Sequence, residues 1–460
     1  MSKSATNVLP AKDLANKTRG ARLQTVATLL VCVLIGGVAL IPSTLTPGID
    51  VVTLLVPLAL LAAVGLIRVR GLDEIPYRNY GVAASLFLLW ALISVLAVGT
   101  HSGELMTWVR YLSYFLLIGA VGLIAASSQD RTVIFWALAI AGAAASLYGL
   151  YQYLNPSIMS DTFATGAGIN VRIYSTFENP NFFSEFLLMT LCGSVALVGV
   201  YWKRSKTACG ALVALILIQT AALYLTYTRG SWLALAAGII IAALVIKPRA
   251  AAILAGLAVL AGLIPPVFTR LMGVFSGDGS TSFRIGLWKA AFTAIGEKPV
   301  FGGGLGDFYQ IYQSVVTRHP ALYQGVSQFG SHNSYLQLAA ETGVLGGLLF
   351  FCAVASLVWA AVRLVRRQNS KRRSFQAAAL LAGLAAFILN ALTSDSFQHP
   401  HAAVYFFVVG GLLVGLGAGY WHAPEVFSSS VIFRKLASAK RTDKTSDQRR
   451  ATRKQNSANS

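Results

Sequence analysis

Charge is scarce in this chain, and negative charge is scarcest. Only 12% of its 460 residues are charged, and just 17 are Asp or Glu. A soluble domain carries about 25% charged residues, so this balance argues against a water-soluble fold. Cysteine is nearly absent. All four, Cys32, Cys192, Cys209 and Cys352, fall inside apolar runs, where they read as small packing residues rather than as disulfides or metal ligands. Enzymes that use Mg²⁺ on phosphates mostly show paired acidic residues, and outside the apolar runs this chain offers only scattered ones, so neither a metal nor another cofactor is expected. No internal repeat is visible. The glycine-rich FGGGLGDF at 301–308 lacks the full G-x-G-x-x-G spacing and follows no predicted strand, so it reads as a tight turn and not as a nucleotide loop.

What the chain has in quantity is apolar sequence, 55% of all residues. A bilayer core of ~30 Å needs about 20 apolar residues per helix. Runs of that kind fall at roughly 23–41, 50–67, 80–98, 105–126, 132–154, 182–201, 207–226, 231–246, 250–267, 334–362, 374–393 and 402–420. The expectation is an all-α polytopic membrane protein of about twelve transmembrane helices. Its parts are a basic N-terminus (1–22), nine helices (23–267), a large outer loop (268–333), three helices (334–420) and a basic tail (421–460). The first run resembles a signal peptide, but the further spans favour an uncleaved helix.

With the N-terminus placed inside, 29 of the 37 Lys and Arg residues fall on inner segments or the tail. Positive loops stay cytoplasmic, so both termini are expected inside. The formal charge of +20 is thereby explained without nucleic acid; the tail reads as a disordered anchor near anionic inner-membrane lipid.

Seven basic residues remain on the outer side: Arg172, Arg229, Arg270, Arg284, Lys289, Lys298 and Arg318. Arg229, in YLTYTRGSWLAL, sits on a tight turn just before a helix N-terminus. Such a place attracts anions; a snorkelling interface anchor is the competing reading. Arg284 lies in TSFRIGLWKAAFTAIGEKP, which reads from Ser282 as an amphipathic helix ending near Pro299 and lying on the membrane surface. Phe283, Leu287, Trp288, Ala291 and Ile295 share its apolar arc with Arg284 at the centre, so that arginine either has a partner in the protein or snorkels. Arg172, before the sixth span, and Arg110, near the outer end of the fourth, either line the same pocket or anchor their helices.

His332 and Asn333 close the large outer loop and open the tenth span. Ser331 or Asn333 can cap that helix. Gly343, Gly346 and Gly347 are expected to allow close helix approach. Glu341 is an intramembrane carboxylate, either functional or a structural acceptor. Asp395, His399 and His401 lie together on the last outer loop in a spacing that matches no metal motif. Arginine binds phosphate oxygens bidentately and stays charged, while histidine accepts protons near neutral pH. Together these outer residues fit group transfer from a lipid-linked pyrophosphate, driven by the donor's own activated bond.

The C-terminal half resembles the O-antigen ligase and polymerase superfamily of bacterial membrane glycosyltransferases. The ligase signature is His, then Asn, Ser or Gln, nine residues, Gly, two residues, then Gly, Thr or Tyr. It is met by His332, Asn333, Gly343 and Gly346. Arg229 in YTRGSW and Arg284 in FRIGLWKAA match the family's two arginines, and Asn179-Pro180-Asn181 is also similar. The resemblance implies a twelve-helix fold related to the C type of glycosyltransferases. It implies a metal-independent, inverting transfer from an undecaprenyl-pyrophosphate-linked glycan to lipid A–core or another glycan acceptor. Arg229 and Arg284 would hold the pyrophosphate, His332 would be the general base, and Asn333 would cap or orient. The site would then face the periplasm or exterior of a bacterial inner membrane. The motif discriminates poorly among ligase, polysaccharide polymerase and protein O-oligosaccharyltransferase. An anion transporter is the alternative from another class, disfavoured because the polar residues gather at one interface.

Overall fold

A computed structural model describes residues 11–42, 78–99, 102–159, 171–272, 279–324 and 330–418. Among the described residues the regular structure is helical. Nine helices among the described residues are long and apolar enough to cross a membrane: α1 (Ala11–Leu40), α2 (Arg78–Val98), α3 (Ser102–Ala125), α4 (Ser128–Leu154), α5 (Pro180–Tyr201), α6 (Lys206–Leu225), α7 (Arg229–Ile246), α12 (Ser334–Arg367) and α13 (Lys371–Asn390). Two shorter apolar helices, α8 (Pro248–Gly262) and α14 (Pro400–Leu416), accompany them. The chain is a polytopic membrane protein. Expected spans and observed helices coincide closely, except that the second span, 50–67, and the basic tail lie outside the described residues.

The ninth expected span, 250–267, is broken. α8 stops at Gly262, and Pro265 and Pro266 open a separate α9 (Pro265–Met272). Proline cannot donate to the preceding turn, so the apolar run does not make one continuous helix. The large loop then folds into α10 (Gly279–Glu297) and α11 (Phe308–Arg318).

Local chemistry sets the helix starts. Ser127, Ser205 and Ser370 accept backbone N–H groups at the starts of α4, α6 and α13, and Asn179 with Pro180 opens α5. Small residues set the closest packing. α13 lies against α7, where Gly238 faces the Ala382 carbonyl and Ala386. α3 lies against α14, where Gly411 and Gly415 face Val121 and Ala125. A side chain there would force the backbones apart. Between them α5 is buried along most of its length. Outward faces are apolar and open, including Leu89 and Leu96 on α2 and Ile253 and Val259 on α8. Such a surface is at home in hydrocarbon and prone to association in water.

The expected surface helix, α10, differs in what covers it. Its arc of Leu287, Ala290, Ala291 and Ala294 packs on Phe308, Ile311, Tyr312 and Val315 of α11 and on Ala340 of α12. The helix is held by protein, which fixes where Arg284 points.

Candidate functional site

Several loops and helix ends meet at one end of the bundle, and α12 brings the histidine there. Asn333 caps this helix, its side chain accepting the N–H groups of Tyr335 and Leu336 at 3.1 Å. Just before it, Ser331 Oγ donates to the Asn333 carbonyl at 2.8 Å and accepts its N–H, and Ser331 N–H donates to Gln337 Oε1. This tight turn holds His332 at φ 53°, a left-handed conformation uncommon outside glycine. The His332 ring is presented to Asp395, with Nδ1 3.4 Å from Oδ2; their side chains are 22% and 4% exposed. Burial lowers the His332 pKa below its ordinary 6.5, the Asp395 carboxylate opposes that, and Arg284 adds to it. Burial raises the Asp395 pKa, against the pull of His332, the backbone N–H groups of His332 and Asn333, and Arg284.

Arg172, Arg229 and Arg284 line one cleft of about 380 Å³, counting its open mouth, together with Asn181, Asn390 and Ser394. Among the described residues that line it, the charged ones are these three arginines. Arg229 is the first residue of α7, so the amides at the start of that helix border the cleft and add to its positive field. Arg172 Nε donates to the Thr226 carbonyl at 3.0 Å, which ties the 171–179 segment to the α6–α7 turn. Arg284 enters from α10. Three guanidiniums from three separate segments therefore converge, and His332 stands next to one of them.

Arg110 and Glu341 are placed elsewhere. They line a second chamber of about 560 Å³, counting its open mouth, with Asp395, Gln337 and Gln398, across the 393–396 wall from the arginines. Glu341 is fully buried; it accepts Gly306 N–H and Gln337 Nε2, each at 2.9 Å. The glycine loop 301–307 is the tight turn expected of it, with Gly302, Gly304 and Gly306 at positive φ. Its Gly303 and Gly304 N–H groups donate to the Ala340 and Glu341 carbonyls. α12 breaks here: Gly343 has φ 79° and ψ 168°, and Val344 N–H donates to the Pro299 carbonyl. Gly343 thus serves a backbone kink rather than helix approach, a correction to its expected role. Gly346 does approach α2, at Trp90.

Beneath the arginine cleft lies a polar network that sequence reasoning missed. Glu185, fully buried on α5, accepts Asn390 Nδ2 at 3.0 Å and Ser396 Oγ at 2.9 Å. Asn390 Oδ1 accepts Ser231 Oγ at 3.1 Å. Glu185 sits inside an apolar span, so only its charge within that run marked it. Asp395 was visible as a neighbour of His399 and His401, but its pairing with His332 was not. Among the described residues no group of three or more His, Cys, Asp or Glu is arranged to hold a metal. Of the other cations expected on the outer side, Arg318 instead joins Glu297 of α10.

Residues 211–351 match the family described as O-antigen ligase. That stretch, just under a third of the chain, contains Arg229, Arg284 and His332 and leaves out Arg172, Glu185 and Asp395. No curated protein matches the chain.

Proposed function

We propose, from the match of residues 211–351 to the O-antigen ligase family, that this chain is a membrane glycosyltransferase acting at the outer face of a bacterial inner membrane. The donor is an undecaprenyl-pyrophosphate-linked glycan, and the acceptor hydroxyl belongs to lipid A–core. The observation that carries this reading is one cleft lined by three arginines from separate segments, beside a histidine–aspartate pair.

In this mechanism Arg172, Arg229 and Arg284 bind the pyrophosphate bidentately. With Nδ1 turned to Asp395, the His332 Nε2 lone pair is left to take a proton. The lowered His332 pKa keeps the ring neutral at pH 7, the form a general base requires. The acceptor oxygen forms a bond to the anomeric carbon as the bond from that carbon to the phosphate oxygen breaks. The electron pair leaves on the pyrophosphate, where the arginines stabilise it, and the proton goes to His332. Asp395 stabilises the resulting imidazolium. Inversion follows from attack opposite the leaving group. Neither ATP nor a metal enters the scheme.

Losing one preorganised donor typically costs about 3–4 kcal/mol of transition-state stabilisation, and losing general base help about 10²–10⁴-fold in rate. Arg284→Ala and His332→Ala are expected to lose at least about 10²-fold in proteoliposomes given purified donor and acceptor. Because φ is positive at 332, His332→Gly serves as a second variant free of backbone strain. Normal transfer by either His332 variant would sink the mechanism. Product analysis separates the fates of the glycan: capped lipid A–core marks ligation, longer glycan chains mark polymerisation, and glycosylated protein marks the protein-directed activity.

A further inference from the structure

The arginine cleft is one of two cavities that meet at the 393–396 wall. Ser394 faces the cleft, and its neighbour Asp395 faces the chamber, where Thr107, Arg110, Tyr111, Glu341 and Gln398 also contribute. The two spaces differ in chemistry. Among the described residues, the charged side chains lining the cleft are all arginines, which suits a pyrophosphate. The chamber sets one guanidinium against two carboxylates and adds the side-chain amides of Gln337 and Gln398. Its described residues carry no excess positive charge to hold a second phosphate. It does offer donors and acceptors at many angles, with aromatic Tyr111 and Phe397 alongside. That combination recognises an uncharged ring carrying several hydroxyls.

The chamber also has hydrogen-bonding capacity that the protein leaves unused. Tyr111 Oη, Gln398 Oε1 and Asp395 Oδ1 are all buried with no partner. Gln398 is held in place by its other end, with Nε2 donating to the Ser334 carbonyl at 3.1 Å. Tyr111 is held by its ring, packed edge-on to Phe87 and Phe350. Buried polar atoms normally find partners, and three orphans round one cavity mark a place where a ligand supplies them.

We propose that this chamber is the acceptor subsite, binding a neutral pyranose whose hydroxyls pair with Tyr111, Gln398 and Asp395. The inference rests on the group-transfer reading above and deepens it. Donor pyrophosphate and acceptor sugar then occupy neighbouring spaces, and the acceptor's reacting hydroxyl extends past Asp395 to reach His332 Nε2. Charge selects the acceptor: a sugar phosphorylated on the ring that enters the chamber meets Glu341 and Asp395.

The test uses the full chain in lipid nanodiscs and saturation-transfer NMR with methyl β-glucopyranoside, glucose 6-phosphate and inorganic pyrophosphate as probes. The neutral glycoside is expected to bind, to outcompete the sugar phosphate, and to stay bound when pyrophosphate is added. Tyr111→Phe removes a hydroxyl that makes no bond within the protein, so folding is expected to be retained. Its binding of the glycoside is expected to weaken by about 3- to 10-fold, the size of one lost hydrogen bond. In the transfer assay the same variant raises the acceptor KM and leaves the donor KM unchanged, whereas Arg229→Lys does the reverse. Displacement of the glycoside by pyrophosphate, or a Tyr111→Phe variant with wild-type glycoside binding and acceptor KM, would overturn the proposal. Glycoside binding that persists while no lipid-linked donor yields product would instead overturn the group-transfer reading and leave a saccharide site in place.

Discussion

His332 holds a backbone conformation that few side-chain-bearing residues adopt, and its ring is aimed at a carboxylate on another loop. Strain of this kind costs about 1–3 kcal/mol and persists only where the surroundings enforce it; here the Ser331 turn and the Asn333 cap do so. The titration of the pair follows from its neighbours. Because burial lowers the His332 pKa, the acid limb of the transfer rate is expected below pH 6.5. Asp395 favours the protonated ring, so Asp395→Asn removes a raising influence. The limb should then move to still lower pH, while the rate at its plateau falls about 10- to 100-fold, equivalent to ~1.4–2.7 kcal/mol. A pH–rate profile of the purified variant checks both. A limb that moves to higher pH, or does not move, would assign Asp395 a merely structural part. At this scale the sequence was informative where a residue type is costly in its setting. An arginine on an apolar arc (Arg284) and a basic residue on the outer side (Arg172, Arg229) could be picked out that way. Partners contributed by a distant loop, such as Asp395, carry no local mark.

At the scale of elements, the glycine loop and α12 form one unit. Gly343 has φ and ψ values open in practice to glycine alone, and a Cβ there would overlap the Val300 carbonyl. Gly343→Ala is therefore expected to lower the melting temperature of the detergent-purified protein by at least about 2 °C and to disturb the bond from Gly306 N–H to Glu341. Gly256→Ala on α8, where an added methyl meets open space, is the control expected to leave melting unchanged. Equal melting for both would show that the kink tolerates a side chain. The sequence pointed to a helix with a histidine at its mouth. It did not show that the helix breaks one residue after Thr342, because glycine in an apolar run serves close packing and backbone kinks alike. Glu185 carries a related lesson. Asn390→Ala removes one of its hydrogen bonds and the link to Ser231 at the start of α7. Donor KM is expected to rise about 3- to 10-fold as the floor of the arginine cleft loosens, measured in the same transfer assay.

For the whole molecule, orientation was read from charge: 29 of 37 basic residues fall on one set of loops. In a cysteine-free background, a cysteine at Tyr323, which is 55% exposed, should react with a membrane-impermeant maleimide in intact spheroplasts. One at Asn369, exposed between α12 and α13, should react only after permeabilisation. The opposite pattern would invert the topology and remove the site from the outer face. The positions of the long apolar helices are legible in sequence because hydrophobic length is a local property, readable within about 20 residues, and loop charge sets the expected direction. The arginine, histidine and glycine motifs are local in the same sense. Only the tertiary structure decided which of those residues share a cavity. It put Arg172 with Arg229 and Arg284, put Arg110 and Glu341 across a wall from them, and set Asp395 against His332. Close packing between helices far apart in the chain made that choice, and the spacing of residues along any single segment does not encode it.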